Sequence, residues 1–241
     1  MFQAALWGGV AGSSLVIGAL LGIFKNISIK FTAFVMAFGT GVLIGAATFE
    51  LLTEAVKDAG ILYPSISFTA GAIIFVIAEF LIAKKGGNQR KRSKGNPVGH
   101  SGLAIFIGTL LDAIPESFII GVSLLEDSVS WLIIIAIFIS NFPEGLSSSI
   151  GLKKDGYSKK KILFLWTIVM VISSFSSFIG YTLIDPSSHI VVSMIGGFAA
   201  GGILAMVSST MMPEAYQDGG PVVGFISAIG LLCSLILTYF G

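Results

Sequence analysis

Runs of about 20 apolar residues dominate this chain, and that length leaves few architectures open, because it matches the hydrocarbon core of a bilayer crossed as a helix. Eight such runs can be laid down, at 5–24, 31–53, 61–83, 101–125, 130–152, 162–183, 190–212 and 222–240. They are continuous rather than alternating, so they predict helices and not the strands of a barrel. Only 11% of residues are charged and mean hydropathy is +0.94, whereas soluble domains carry roughly 25% charged residues. The expected fold is an all-α integral membrane protein in one transmembrane domain over 1–241, with the lipid bilayer as its solvent. A net charge of +1 offers nothing to nucleic acid. The one cysteine, Cys233, falls in an apolar run, so neither a disulfide framework nor a thiolate metal cluster is expected. Residues 1–24 have no basic start and run straight into a full-length apolar segment, which reads as a retained first span rather than a cleaved leader.

Loops are short except for the polar stretch 84–100. Basic residues collect in three of them: Lys25 and Lys30, then Lys84, Lys85, Arg90, Lys91, Arg92 and Lys94, then Lys153, Lys154, Lys159, Lys160 and Lys161. If every span crosses, all three loops share one side; Lys57 falls opposite, as do Glu126 and Asp127. The positive-inside rule then places the basic loops in the cytoplasm and both termini outside a cell membrane crossed several times.

Two segments repeat. Residues 38–60 and 198–220 align without a gap: Phe38 matches Phe198, Gly41 matches Gly201, Glu54-Ala55 matches Glu214-Ala215, Asp58 matches Asp218 and Gly60 matches Gly220. The two spans cross in opposite directions. This predicts an inverted-topology repeat in which helices 1–3 mirror helices 6–8 around a central pair, 4 and 5, where repeat-built transporters place their substrate.

That central pair carries the chemistry. Asp112-Ala113-Ile114-Pro115-Glu116 and Ser140-Asn141-Phe142-Pro143-Glu144 each set a Pro-Glu pair at the midpoint of an apolar span. A charge at that depth costs on the order of 3 kcal/mol. Asp112 and Glu116, like Ser140 and Glu144, are four apart and share a helical face. Pro115 and Pro143 have no N–H to donate, which frees the carbonyls of Leu111 and Ile139. Such oxygen clusters suit divalent cations; a proton relay would use the same groups. The reading requires Glu116 and Glu144 to share a wet cavity. At the outer end of span two, Glu50 and Glu54 are expected to gather cations, and Glu214 and Asp218 at the inner end of span seven to release them. Glu79, near the inner end of span three, reads as structural, as do Ser173, Ser174, Ser176 and Ser177, where small hydroxyls commonly serve helix packing. His100 and His189 lie in loops and read as solvated. The chain contains no His-Glu-x-x-His, no Gly-x-Ser-x-Gly and no nucleotide loop, so an enzyme is not expected and no cofactor is called for.

The eight spans, the basic loop after span three and the paired Pro-Glu motifs together resemble the ZIP (Zrt/Irt-like) family of divalent metal transporters, in a short-loop bacterial form. The likeness is most specific at Asn141-Phe142-Pro143-Glu144-Gly145, close to the family pattern His-Asn-x-Pro-Glu-Gly, and at Phe198-Ala199-Ala200-Gly201 through Pro213-Glu214-Ala215. It implies uptake of zinc, iron, manganese or cadmium as substrate through a binuclear centre. In that centre Glu116 and Glu144 would be the core ligands, with Asp112, Asn141 and Ser140 at the other motif positions. It also implies an elevator-like motion of spans one, four, five and six against the rest, often in a homodimer. The chain departs from the pattern where Asp112 and Ser140 stand in place of His and Ala113 in place of Asn; span six has no carboxylate, and Thr210 stands where the repeat partner has Glu50. One oxygen-based metal position is expected to survive, which shifts the preference from zinc toward Mn²⁺ or Fe²⁺. A cation channel, or a sensor of metal or protons, is the alternative reading.

Overall fold

The computed structural model describes residues 1–25, 27–82, 84, 101–125, 130–185 and 187–240. His100, Glu126, Asp127 and all of the basic loop except Lys84 lie outside the described residues. No strand occurs among the described residues, which form a bundle of eight long helices. We number them α1 (Phe2–Phe24), α2 (Ile29–Ala59), α3 (Leu62–Ile82), α4 (Ser101–Ser123), α5 (Trp131–Lys154), α6 (Lys159–Leu183), α7 (His189–Gly219) and α8 (Val222–Phe240). Seven are long and apolar enough to cross a membrane by length and composition, and α4, at 23 residues, is as long as α1.

Local chemistry explains the helix ends. Ser28, Ser130 and Ser158 begin α2, α5 and α6, their hydroxyls accepting from the N–H groups of Phe31, Ile133 and Lys161 at 3.1, 3.4 and 3.3 Å. Each satisfies an orphan donor of the first turn. α2 and α7 stop at Gly60 and Gly220, with φ of 72° and 74°. Both helices run past the ends expected from hydropathy, because the polar turns carrying Glu54 and Glu214 continue the helix instead of breaking it. A Cβ at Gly220 would meet nothing within 4 Å, so only backbone strain resists substitution. Gly220 has φ 74° and ψ −163°, a region essentially restricted to glycine, so Gly220→Ala is expected to cost about 1–3 kcal/mol, read as a fall in melting temperature with unchanged assembly.

The repeat is visible in three dimensions. α2 contains a π-helical stretch over Ala46–Leu52 and α7 one over Val207–Met211, at matching positions. α2 packs on α8 while α7 packs on α3, as a two-fold relation between the halves demands. Both contacts depend on a glycine: a Cβ at Gly41 would run into the Ser227 carbonyl oxygen, and a Cβ at Gly201 into that of Phe68. α1 packs on α5 and α6, and α6 on α4. The helices therefore sort into two sets, α1, α4, α5 and α6 against α2, α3, α7 and α8. α2 closes on α5 along the seam between them, where Gly39 lies so near Ser140 that an added Cβ would be 3.2 Å from its Cα.

Candidate functional site

Both Pro-Glu motifs sit on unbroken helices: Pro115 lies inside α4 and Pro143 inside α5. The carboxylates are deeply buried, with Asp112, Glu116 and Glu144 each 4% exposed, and Ser140 and Asn141 are buried beside them. On α4 the polar stripe is longer than the motif. Thr109, Asp112 and Glu116 follow the i, i+3, i+7 spacing of one helical face, and the Thr109 hydroxyl donates to Glu144 Oε1 at 2.8 Å. Glu144 thus reaches across from α5 to the stripe that carries Asp112 and Glu116. Sequence reasoning missed Thr109, although its spacing from Asp112 was there to be read. Ser140 donates back to the Ile137 carbonyl of its own helix at 3.0 Å. The Ser176 hydroxyl of α6 donates to the Ile114 carbonyl at 2.7 Å, one residue before Pro115.

Asp112 and Glu116 line a cavity of about 150 Å³ between α3, α4 and α7, walled also by Glu79, Phe198, Ala199 and Met206. One water needs about 10–15 Å³ measured this way, so the void has room for several. Glu144, Asn141 and Ser140 are not among its walls, so Glu116 and Glu144 do not share this cavity as the sequence led us to expect; Glu144 instead accepts from Thr109, on the helix that carries Asp112 and Glu116. Among the described residues no three or more His, Cys, Asp or Glu side chains stand as a ready-made metal-ligand group.

Two smaller, acid-lined depressions lie at opposite ends of the bundle. The first, about 50 Å³, brings Glu50, Glu54 and Asp58 of α2 together with Ile119 and Val122 of α4 and Val192, Ser193 and Gly196 of α7. The second, about 10 Å³, brings Glu214 and Asp218 of α7 together with Ser147 and Ile150 of α5 and Thr32, Ala33 and Met36 of α2. Every residue that lines the second, Ile29 excepted, is the repeat counterpart of one that lines the first, with α2 exchanging with α7 and α4 with α5. The two mouths are one structure built twice.

They are not chemically equal. Glu50 accepts from the Ser130 hydroxyl at 3.2 Å and from Thr238 at 3.3 Å, tying α2 to the start of α5 and to α8. Its counterpart Thr210 donates to the Met206 carbonyl instead, at 2.7 Å. Glu54 is paired with Lys57 at 2.5 Å on an exposed surface, where such pairs contribute little. Glu214, only 6% exposed, accepts from Ser147 at 3.1 Å. Ser149, two positions on, accepts from the buried Trp166 indole N–H of α6 at 2.6 Å. The serine run of α5, unassigned by sequence reasoning, therefore joins one mouth to the neighbouring helix.

The match between this chain and known proteins takes in its last two thirds. The ZIP zinc transporter family profile covers residues 81–239, which include both Pro-Glu motifs and the second half of the repeat. The chain belongs to the ZIP zinc transporter family. It is also similar to a candidate zinc transporter of Arabidopsis thaliana, with 25% identity over 208 residues. That alignment takes in 85% of this chain but 33% of the relative, so the chain spans about a third of that protein's length. ZIP members are membrane transporters, in keeping with a chain in which no enzyme motif was found.

Proposed function

We propose that this ZIP protein is a secondary carrier that moves a divalent transition-metal cation across the cell membrane into the cytoplasm. The cation is held at mid-span by Asp112, Glu116 and Glu144, with Asn141 and Ser140 as further oxygen donors. The observation that carries the reading is the pair of buried carboxylates on α4 lining a hydrated-size cavity, with Glu144 linked to their stripe through Thr109. A divalent charge offsets the mutual repulsion of these carboxylates, which makes their burial tolerable.

In this mechanism cations collect at Glu50, Glu54 and Asp58, where the field of three acids concentrates them. They then shed water onto the mid-span carboxylates. A displacement of α1, α4, α5 and α6 against α2, α3, α7 and α8 exposes the site to the other side, and the ion leaves past Glu214 and Asp218. The equivalence of the two mouths supports this cycle, since a repeat-built carrier needs two related end states of similar energy. A second copy of the chain is a candidate partner for the fixed set of helices.

Uptake by the full chain in sealed proteoliposomes tests the reading. Saturable metal-dependent flux supports a carrier, fast voltage-driven current would replace it by a channel, and binding without flux by a sensor. The donor set is oxygen only, and hard oxygen ligands favour Mn²⁺ and Fe²⁺ where imidazole favours zinc. Mn²⁺ is expected to be taken up at least as well as Zn²⁺ at equal free concentration. Strong selectivity for zinc over manganese in that assay would refute the oxygen-site argument.

A further inference from the structure

Glu79 is the sole acid of α3, and its placement is informative. The helix turns Ile73, Val76, Ile77, Phe80 and Leu81 outward, yet Glu79 is half-buried and, with Ile74, Phe75 and Ala78 of the same helix, lines the cavity that holds Asp112 and Glu116. The fold does not demand an acid there. In the register that pairs Phe38 with Phe198, the counterpart of Glu79 is Tyr239, which is 81% exposed. The cavity is likewise a departure from the repeat. Where Gly39 lets α2 close on α5, its counterpart Ala199 forms part of the cavity wall between α7 and α4. The α4–α7 seam is therefore held open at the level of the buried carboxylates, and Glu79 stands in that opening.

Depth gives the direction. At 1.5 Å per residue, Glu79 lies roughly 5 Å from the end of α3 and Asp112 roughly 16 Å from the start of α4. These two helix ends flank the basic loop on one side. The three carboxylates form a descending series from mid-span toward that side, within a void wide enough for an ion that keeps part of its water.

We propose that Glu79 is a further cation-binding and selectivity residue, which receives the partly hydrated divalent cation from Asp112 and Glu116 on its way to the side of the basic loop. This rests on the carrier reading and adds to it a route through the α3–α4–α7 cavity. A partly hydrated ion is held by charge more than by close coordination, which removes the advantage that direct ligation gives zinc over Mn²⁺.

The test compares wild type, Glu79→Gln, Glu79→Asp and Glu144→Gln as full chains, by Mn²⁺ and Zn²⁺ uptake in proteoliposomes and by Mn²⁺ titration in detergent. Glu79→Gln is expected to raise the half-saturating Mn²⁺ concentration about tenfold and to lower the Mn²⁺-to-Zn²⁺ uptake ratio, with its melting temperature unchanged. Glu79→Asp, which keeps the charge, is expected to recover most of both. If Glu79→Gln keeps the wild-type half-saturation and ratio while Glu144→Gln is inactive, the Glu79 route is wrong and the carrier reading stands. If Glu79→Asp is as impaired as Glu79→Gln and both lose thermal stability together, Glu79 is a packing residue. If wild type neither binds nor transports either metal, the carrier reading itself fails.

Discussion

Glu144→Gln is expected to abolish metal uptake, by on the order of 100-fold or more, while the protein still folds. The amide retains an oxygen that accepts from Thr109, so the 2.8 Å hydrogen bond and the local packing survive. What is lost is one negative charge in a buried site that is 4% exposed at this position. A factor of 100 corresponds to about 2.7 kcal/mol, within the 2–5 kcal/mol typical of removing one member of a buried charge pairing. The measurement is initial uptake into proteoliposomes beside the size-exclusion profile and melting curve of the same preparation. Near-normal uptake by this variant would remove Glu144 from the transport site. Glu116→Gln is expected to behave alike, since it occupies the equivalent motif position and is equally buried.

Gly41→Val and Gly201→Val are each expected to prevent correct assembly. A Cβ at either position overlaps a backbone carbonyl oxygen of the neighbouring helix, Ser227 in one case and Phe68 in the other. Backbone cannot rotate aside as a side chain can, so the helix pair must separate and lose its packing over several turns. Overpacking commonly costs 1–3 kcal/mol where side chains give way, and here the cost is expected to exceed that range. The effect should appear as aggregation or loss of the monodisperse peak in detergent. Gly224→Ala is the control, because a Cβ there meets nothing within 4 Å, and it should be close to neutral. The repeat gives this prediction a sharper form: the two damaging variants should be damaged to a similar extent. A well-folded Gly201→Val beside an unfolded Gly41→Val would contradict the equivalence of the α2–α8 and α7–α3 contacts.

Much of this was legible in advance because lipid imposes a simple code. Helix number and spacing follow from apolar length, and the mid-span Pro-Glu pairs stand out against a background that punishes charge. The inverted repeat was readable because Gly41 and Gly201 are fixed by the same backbone approach, and Gly60 and Gly220 by the same positive φ. The ends of α2 and α7 were not, since hydropathy falls before the helix does. Thr109, the serine run of α5 and the placement of Glu79 were also not readable. A hydroxyl or a lone acid in an apolar span has many structural uses, and only its neighbours tell them apart.

The amino-acid order alone determined the membrane class, the all-helical fold, the family resemblance and which side chains are costly enough to be kept for a purpose. These are properties of single helices in lipid, and each helix carries its own information. Tertiary structure alone decided which costly groups meet. It showed that Asp112 and Glu116 open onto α3 and α7, that Glu144 is hydrogen-bonded to Thr109 on the helix that carries them, and that the two mouths are repeat-related with only Glu50 unmatched among their acids. Those relations depend on how closely two backbones approach and on the rotation of one helix about its axis against another. Both are set by the summed packing of the whole bundle, and no local pattern in the chain encodes that sum.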